Sequence, residues 1–286
     1  DSFRVRLSHL FHWDQNIIDT VVNRCMTEAS GLDGISLLSA INLKDNNINE
    51  FMAYVLTSFR EKLITQNSPL KVLIHLDSYK HWITDEIIDE LDNSASRTDF
   101  LSLEITDFKN DKLVINANVV ECKISTIKYA DTHKQKATWQ VNHSLKRLQQ
   151  IFNPDSTSVL RRYWYAQLYR ALTFAQVTFT NVSSDYEEIA EKLRLILDGK
   201  FQINWSGEVH GYWVDLDRET EITENLVSEE GNYPITIHNI PQKEMQKMLI
   251  NDESYSLKFV NDVNEDLLRT KEEKQAFNEE NEEEFD

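Results

Sequence analysis

Between about residues 14 and 29, Ile17, Ile18, Val21, Val22 and Cys25 recur at helical spacing, and Ser30-Gly31-Leu32-Asp33-Gly34 breaks the pattern. A second helix is predicted over about residues 47–64, with Phe51, Val55, Phe59 and Leu63 on one stripe. Lys71 to Leu76 reads as a short apolar strand, followed by a polar helical stretch from about Tyr79 to Leu91 and a loop through Asn93, Ser94 and Ser96. Two strands come next, Phe100 to Thr106 and Lys112 to Ser125, separated by a predicted turn at 107–111. The second of them is long and rich in β-branched residues.

After a basic loop, Leu145, Leu148 and Phe152 mark a helix over about 137–152, which Asn153-Pro154-Asp155 ends. Leu160, Trp164, Leu168 and Leu172 mark another over about 158–175. A third is framed by a capping box at Ser184 and Glu187 and a stop at Gly199. Strands are predicted at 201–205, 209–216 and 234–240, with a short helix over about 242–250. The last residues are acidic and hold almost no apolar surface, which predicts a solvated helix fading into disorder. Helices, a strand meander, helices and strands in that order predict an α/β or α+β layered domain. No linker or internal repeat interrupts it, so one domain with an N-terminal helical extension is expected.

Composition changes this picture little. Apolar residues make up 41% and charged residues 27% of 286 positions, ordinary for a soluble globular chain. No run approaches the 18 apolar residues of a membrane span. The chain opens on Asp1 with no apolar signal region, so it is expected to be a piece of a longer one. Cys25 and Cys122 are too few for a disulfide framework or a zinc site, which points to a cytoplasmic location.

Charge changes the picture more. The formal net charge is −18, which by itself argues against nucleic-acid binding. From Lys123 to Arg170, however, stand nine basic residues (Lys123, Lys128, Lys134, Lys136, Lys146, Arg147, Arg161, Arg162 and Arg170) against two acids, Asp131 and Asp155, a local balance of +7. The acid gathers elsewhere, above all from Glu272 to Asp286.

The residues that carry chemistry lie at the start of that window. Asp99 stands at the mouth of one strand, and Glu121-Cys122-Lys123 on the next. Side chains alternate along a strand, so Glu121 and Lys123 share a face with the small or apolar Ala117 and Val119. A charged pair there is costly without a partner or a metal. Phosphodiester hydrolysis needs charge stabilisation on a developing pentacoordinate phosphate, and Mg²⁺ or Mn²⁺ held by carboxylates supplies it. Asp99 and Glu121 would clamp the ion, the Cys122 backbone carbonyl could add a ligand, and Lys123 would orient or activate the attacking water. The alternative is a surface ion pair on an edge strand.

Asp99, a strand and turn, then Glu121-Cys122-Lys123 at a spacing of 22 residues resemble the PD-(D/E)XK nuclease superfamily, with Thr98 where that motif often has proline. Leu76-Asp77-Ser78-Tyr79-Lys80-His81-Trp82 and Arg161-Arg162-Tyr163-Trp164-Tyr165 extend the likeness to a nuclease-like region attached to HerA/FtsK-type DNA translocases of bacterial anti-phage and phosphorothioation-linked restriction systems. The resemblance implies a restriction-endonuclease-like mixed sheet flanked by helices. It divides the chain into an N-terminal helical extension (1–69), a nuclease-like domain (70–250) and an acidic tail (251–286). It implies that Gln140 joins the catalytic residues and that Glu86 or Glu90 gives a further metal contact. It also implies an ATPase translocase partner, on the same chain or as a subunit, and a possible oligomer.

DNA contacts are expected at Lys128, Lys134, Lys136, Lys146, Arg147, Arg161 and Arg162. For Arg161, Arg162 and Arg170 a merely solvated helix face is the equal alternative. Tyr163, Tyr165 and Tyr169, interleaved with them, could stack on exposed bases. No histidine stands at metal-ligand spacing from Cys or Glu, so all eight are read as non-catalytic, with His133 and His143 as possible phosphate neighbours. The functions in play are a metal-dependent DNA endonuclease, a non-catalytic nuclease-like module that grips DNA or assembles a complex, and an acidic DNA mimic, against which the basic window speaks. There is no Gly-rich phosphate loop, so no ATPase is expected within this chain. Deleting the residues after Lys271 is expected to leave the melting temperature unchanged in a thermal denaturation series, because the tail has no apolar face to bury.

Overall fold

The computed structural model describes residues 2–29, 45–64, 71–83, 97–109, 112–179, 186–228 and 233–250. Three helices come first, α1 (Ser2–Phe11), α2 (Gln15–Ala29) and α3 (Asp45–Ile64). Strand β1 (Lys71–His75) runs into a 3-10 helix at Leu76–Trp82, and β2 (Phe100–Lys109) and β3 (Lys112–Ser125) follow. Then come α4 (Ala130–Ile151), α5 (Arg161–Phe179), α6 (Tyr186–Leu193), β4 (Phe201–Trp213), β5 (Ile222–Val227), β6 (Pro234–Pro241) and α7 (Gln242–Ile250). The strands form one six-stranded sheet in the order β1-β2-β3-β4-β6-β5. β1, β2 and β3 are antiparallel neighbours, β3, β4 and β6 run parallel, and β5 closes the far edge antiparallel to β6. The fold is therefore α/β, a mixed sheet flanked by helices.

Alternation along the strands divides the core in two. Leu101, Leu103, Leu113, Ile115, Ala117, Val119, Val209 and Ile237 face Val141, Leu145 and Leu148 of α4 and Leu168 and Leu172 of α5. Phe100, Val120, Cys122, Ile124, Tyr212 and Ile240 face the other way, into one cluster with Leu7 and Phe11 of α1, Ile18 and Val21 of α2, the middle of α3, and Met245 and Leu249 of α7. α1, α2 and α3 thus share their core with the sheet, as the layer that covers its second face. No described helix is long and apolar enough to cross a membrane.

The structure corrects several expected boundaries. The turn at 107–111 is shorter, because β2 continues to Lys109 through a bulge between Ile105 and Asp107. The basic loop before α4 is helix from Ala130 onward; its first two turns are polar on most sides, so they leave no apolar stripe to read. The strands predicted at 201–205 and 209–216 are one strand, β4. Gly207, between the two expected strands, makes a close contact: a Cβ there would meet Val141 Cγ1 at 2.4 Å, so its bare backbone lets α4 sit close on the sheet. Gly199 does end its helical segment, with φ +72°. α1 and the exposed edge strand β5 had no sequence expectation. The expected helix beyond Ile83, the capping-box serine Ser184 and the acidic tail lie outside the described residues.

α7 carries one buried acid. Glu244 is 7% exposed, and its Oε2 has no hydrogen-bond partner. Burial, then repulsion from Glu221, push its pKa up to about 7 against the pull of Arg60. A folded-state pKa raised above the unfolded one gives stability that is complete below the unfolded value and lost as pH rises through the folded value. Glu244→Gln keeps the uncharged shape. It should melt at about the wild-type temperature at pH 5 and be more stable at pH 8, by on the order of 1–3 kcal/mol. Thermal denaturation of both proteins at the two pH values checks this.

Candidate active site

β3 is the third of six strands, paired with β2 on one side and β4 on the other. Glu121 is fully buried on it, with Lys123 two residues on and 24% exposed at the side chain. The edge-strand alternative therefore fails: the pair stands in the middle of the sheet. The β2–β3 register pairs Phe100 with Val120, and one step further it sets Asp99 opposite Glu121. The three residues that the motif singled out are brought together by that register.

Each has a defined partner. Lys123 Nζ donates to Glu121 Oε1. Asp99 Oδ2 accepts from the Cys122 backbone N–H at 2.8 Å and from its thiol at 3.1 Å. Asp99 Oδ1 accepts from the Tyr54 hydroxyl at 2.9 Å. The N–H and C=O of one strand residue point toward the same neighbouring strand, so the Cys122 carbonyl is turned toward the Asp99 side, as a metal ligand there would need.

Burial, then Asp99, push the Glu121 carboxyl above its usual range, and Lys123 only partly offsets them. Burial works to lower the Lys123 ammonium, but the Glu121 and Asp99 carboxylates reverse this and hold it above the usual lysine value. Lys123 is accordingly a fixed cation and donor in this geometry, not a neutral base.

Sequence reasoning missed a further acid. Glu50 Oε1, in the first turns of α3, lies 3.1 Å from the Tyr54 hydroxyl, whose single proton is shared between Glu50 and the nearer Asp99. Burial raises the Glu50 pKa, and Asp99 and Asp77 add to the rise. The signal was available: Glu50 and Tyr54 are four apart on a predicted helix, hence on one face. Nothing in the chain says which strand that face will meet. The expected upstream acids, Glu86 and Glu90, lie outside the described residues.

Gln140 is buried on α4, and its Nε2 donates to the Arg97 carbonyl at 2.8 Å, which ties α4 to the segment leading into Asp99. Its Oε1 is buried with no partner, as is Glu121 Oε2. An orphaned carboxylate oxygen, a second carboxylate across the register, nearby Glu50 and Asp77, and a single ammonium leave an excess of negative charge. That donor set fits a hard divalent cation.

The basic window divides along α4. Lys128 and Lys136 are exposed at the end where the site lies, and burial, then Lys123 and Lys136, hold the His133 imidazole below its ordinary value. Lys134 pairs with Glu224 at 2.9 Å and with Asp131 at 3.5 Å, so its charge is already answered. Further along, Trp139 is 52% exposed and stacks on His143, with centroids 5.6 Å apart. Lys136, Trp139, His143 and Lys146 recur at one helix face, all exposed, and Arg147 is half-buried beside it. Arg161 and Arg162 lie beyond the far end of α4, on a cleft of about 580 Å³ with Tyr165, Asp198 and Gly199. The 22 residues of α4 span roughly 33 Å, so these arginines are remote from Lys123. Of the three tyrosines, Tyr165 is buried and donates to the Asn153 and Pro154 carbonyls, Tyr169 packs on the core, and Tyr163 is exposed.

The histidine expectation needs correction. Glu208 and His210 share a face of β4, and His238 pairs with His210 across β6, so Glu208, His210 and His238 bring ligand atoms within 4.8 Å of one another. The expected strands at 201–205 and 209–216 leave Glu208 outside both; in the structure it lies within β4. No protein-family model matches the chain, and neither a curated protein nor a solved structure matches it.

The Glu121–Lys123 pair yields a stability test. Removing the ammonium leaves a buried carboxylate facing Asp99, and breaking a buried pair costs about 3–5 kcal/mol. Lys123→Met should therefore lose on the order of 3 kcal/mol at pH 8. Part of the loss should return at pH 5, as Glu121, its pKa already raised and now without Lys123, takes up a proton. Denaturant titrations at the two pH values measure both figures.

Proposed function

We propose that the protein is a metal-dependent DNA endonuclease whose catalytic residues are Asp99, Glu121 and Lys123, with Mg²⁺ or Mn²⁺ as cofactor. The observation that carries this reading is that half-buried Asp99, just before β2, meets the buried Glu121 of β3 beside Lys123, with β3 inside the sheet rather than at its rim. The mixed sheet, with Glu121-Cys122-Lys123 on its third strand and the acid at the mouth of the adjacent antiparallel strand, supports a restriction-endonuclease-like architecture. Asp99, Glu121 and the Cys122 carbonyl would hold the ion, which would polarise the scissile phosphate and lower the pKa of a bound water.

The chain's own residues do the rest. Tyr54 and the Cys122 amide fix the Asp99 carboxylate, and Gln140 anchors the backbone at Arg97 just before it. Lys123, held as an ammonium, points a donor at the site and stabilises the charge that develops on the phosphoryl oxygens. Lys136 and Lys146, with Trp139 and His143 between them, give α4 a basic and aromatic face for the phosphate backbone, and Lys128 stands just before its first turn. The setting is a cytoplasmic anti-phage or restriction complex in which a HerA/FtsK-type translocase delivers the DNA, on the resemblance of the Leu76–Trp82 and Arg161–Tyr165 segments.

A second reading, a non-catalytic nuclease-like module, rests on the Lys123–Glu121 ion pair, which would equally serve as a structural counter-charge. Lys123→Arg separates the two. Arginine keeps the charge but carries it on a larger planar fork. Misplacement by about 1 Å costs on the order of a hundredfold in rate. The variant should fold, bind Mn²⁺ by calorimetry and bind DNA, yet lose nearly all plasmid cleavage in Mg²⁺ or Mn²⁺. Asp99→Ala should lose Mn²⁺ binding as well. Cleavage by Lys123→Arg at the wild-type rate, or none by the wild type with either metal and the translocase present, would favour the second reading.

A further inference from the structure

The sheet face covered by α3 carries a polar group that the nuclease reading does not use. The chain alternates, so Glu208 and His210 on β4 project toward α3, and the parallel register places His238 of β6 directly beside His210. Both imidazoles aim Nε2 at the same carboxylate oxygen: His210 Nε2 lies 2.7 Å from Glu208 Oε2, and His238 Nε2 lies 3.6 Å from it. Ligand atoms sharing one ion at about 2.0–2.2 Å stand roughly 3–3.5 Å apart, and the observed distances bracket that separation.

Both outer nitrogens have polar partners. His210 Nδ1 faces the Thr57 hydroxyl at 3.5 Å, and His238 Nδ1 lies between Arg60 Nη2 at 3.0 Å and Glu221 Oε1 at 3.3 Å. In the tautomer in which Nδ1 donates to the Thr57 hydroxyl or the Glu221 carboxylate, the Nε2 lone pair is left for an ion. Glu221 is itself braced by Arg60, which donates to both its oxygens at 2.6 and 3.1 Å. Arg60 Nη2 also lies 3.0 Å from His238 Nδ1, so Arg60, Glu221 and His238 form one polar group, and Glu208 has two imidazole rings as its nearest partners. His210 is fully buried, but the Glu208 and His238 side chains are 25% and 12% exposed, which gives an ion a way in and a position for water.

We infer that Glu208, His210 and His238 form a second cation site, for a first-row transition ion such as Zn²⁺, that ties β4 to β6 beneath α3. Two imidazoles and one carboxylate select such an ion over Mg²⁺, which prefers an all-oxygen shell. The site is separate from Asp99 and Glu121. Tyr54, which touches Asp99, and Thr57, which touches His210, are three residues apart on α3, about 5 Å of helix rise. One rigid helix therefore contacts both centres. The inference does not depend on the nuclease reading, since it concerns other residues and another class of ion.

The probe is Co²⁺, whose visible absorption reports nitrogen coordination and which Zn²⁺ displaces. Chelator-stripped protein is titrated with Co²⁺ as wild type, Asp99→Asn, Glu208→Gln and His238→Gln, with circular dichroism checking the fold of each. Wild type and Asp99→Asn should develop the same bands at one equivalent, lost on adding Zn²⁺ and unaffected by excess Mg²⁺. Glu208→Gln and His238→Gln should bind at least a hundredfold more weakly. A second measurement stands even if those variants fail to fold: the proton spectrum of wild-type Co²⁺ protein should show two strongly shifted imidazole N–H signals. The inference is overturned if wild type gives no bands, if His238→Gln folds and keeps them, if Asp99→Asn abolishes them, or if no imidazole signal shifts. Any of those results would make the group a hydrogen-bond network in which Glu208 shares the histidine protons.

Discussion

The structure depends on how a helix with a polar stripe is buried against a sheet. Residues 51–61 of α3 are buried throughout, yet the helix carries Tyr54, Thr57, Arg60 and Glu61 there, with Glu50 one position before. Positions 50, 54, 57 and 61 lie on one face, so the helix meets the sheet with polar atoms. Unpaired, each would cost a few kcal/mol. Each finds a partner: Tyr54 on Asp99, Thr57 on Tyr212 at 3.0 Å, Arg60 on Glu221, and Glu61 on Ser102 at 3.1 Å and Lys71 at 3.0 Å. These contacts set the height and rotation of α3 over β1–β4. They also make the N-terminal helices part of the layer that shapes the site.

Such an interface is not the most stable way to cover a sheet. Buried charges with good partners roughly break even against apolar side chains of the same volume, while one left unpartnered is strongly destabilising. Buried oxygens left without partners, those on Glu121, Gln140 and Glu244 among them, are therefore informative. Glu121 and Gln140 sit with the motif residues, where an ion or substrate would complete them. Local exceptions to good packing are expected to gather at functional sites.

Charge is arranged on the same logic. The protein is acidic overall, with a net −18, yet the exposed face of α4 is basic and aromatic. An acidic body repels a polyanion everywhere except along such a stripe, so the distribution of charge and not its sum decides where DNA would lie. The tertiary structure also narrows the stripe. Lys134 is answered by Glu224 of β5, and Arg161 and Arg162 belong to a different end of the molecule.

Strand alternation made Glu121 and Lys123 a same-face pair from the sequence alone, and the Lys112–Ser125 strand and the 242–250 helix stand where periodicity placed them. Those are local properties: a two-residue repeat, a helical stripe, a glycine at a helix end. The sequence by itself also determined that charge is segregated, because a count within a window needs no coordinates. What it could not determine is which face meets which. Asp99 lies opposite Glu121 through the β2–β3 register, Glu50 reaches them only once α3 docks, and Glu208 joins two histidines only when β4 runs unbroken through Gly207 and takes β6 as its parallel neighbour. Contacts between residues tens to hundreds of positions apart leave no local pattern. They are decided by the packing of whole elements, where the need to bury apolar faces and to satisfy every enclosed polar atom selects one arrangement among many.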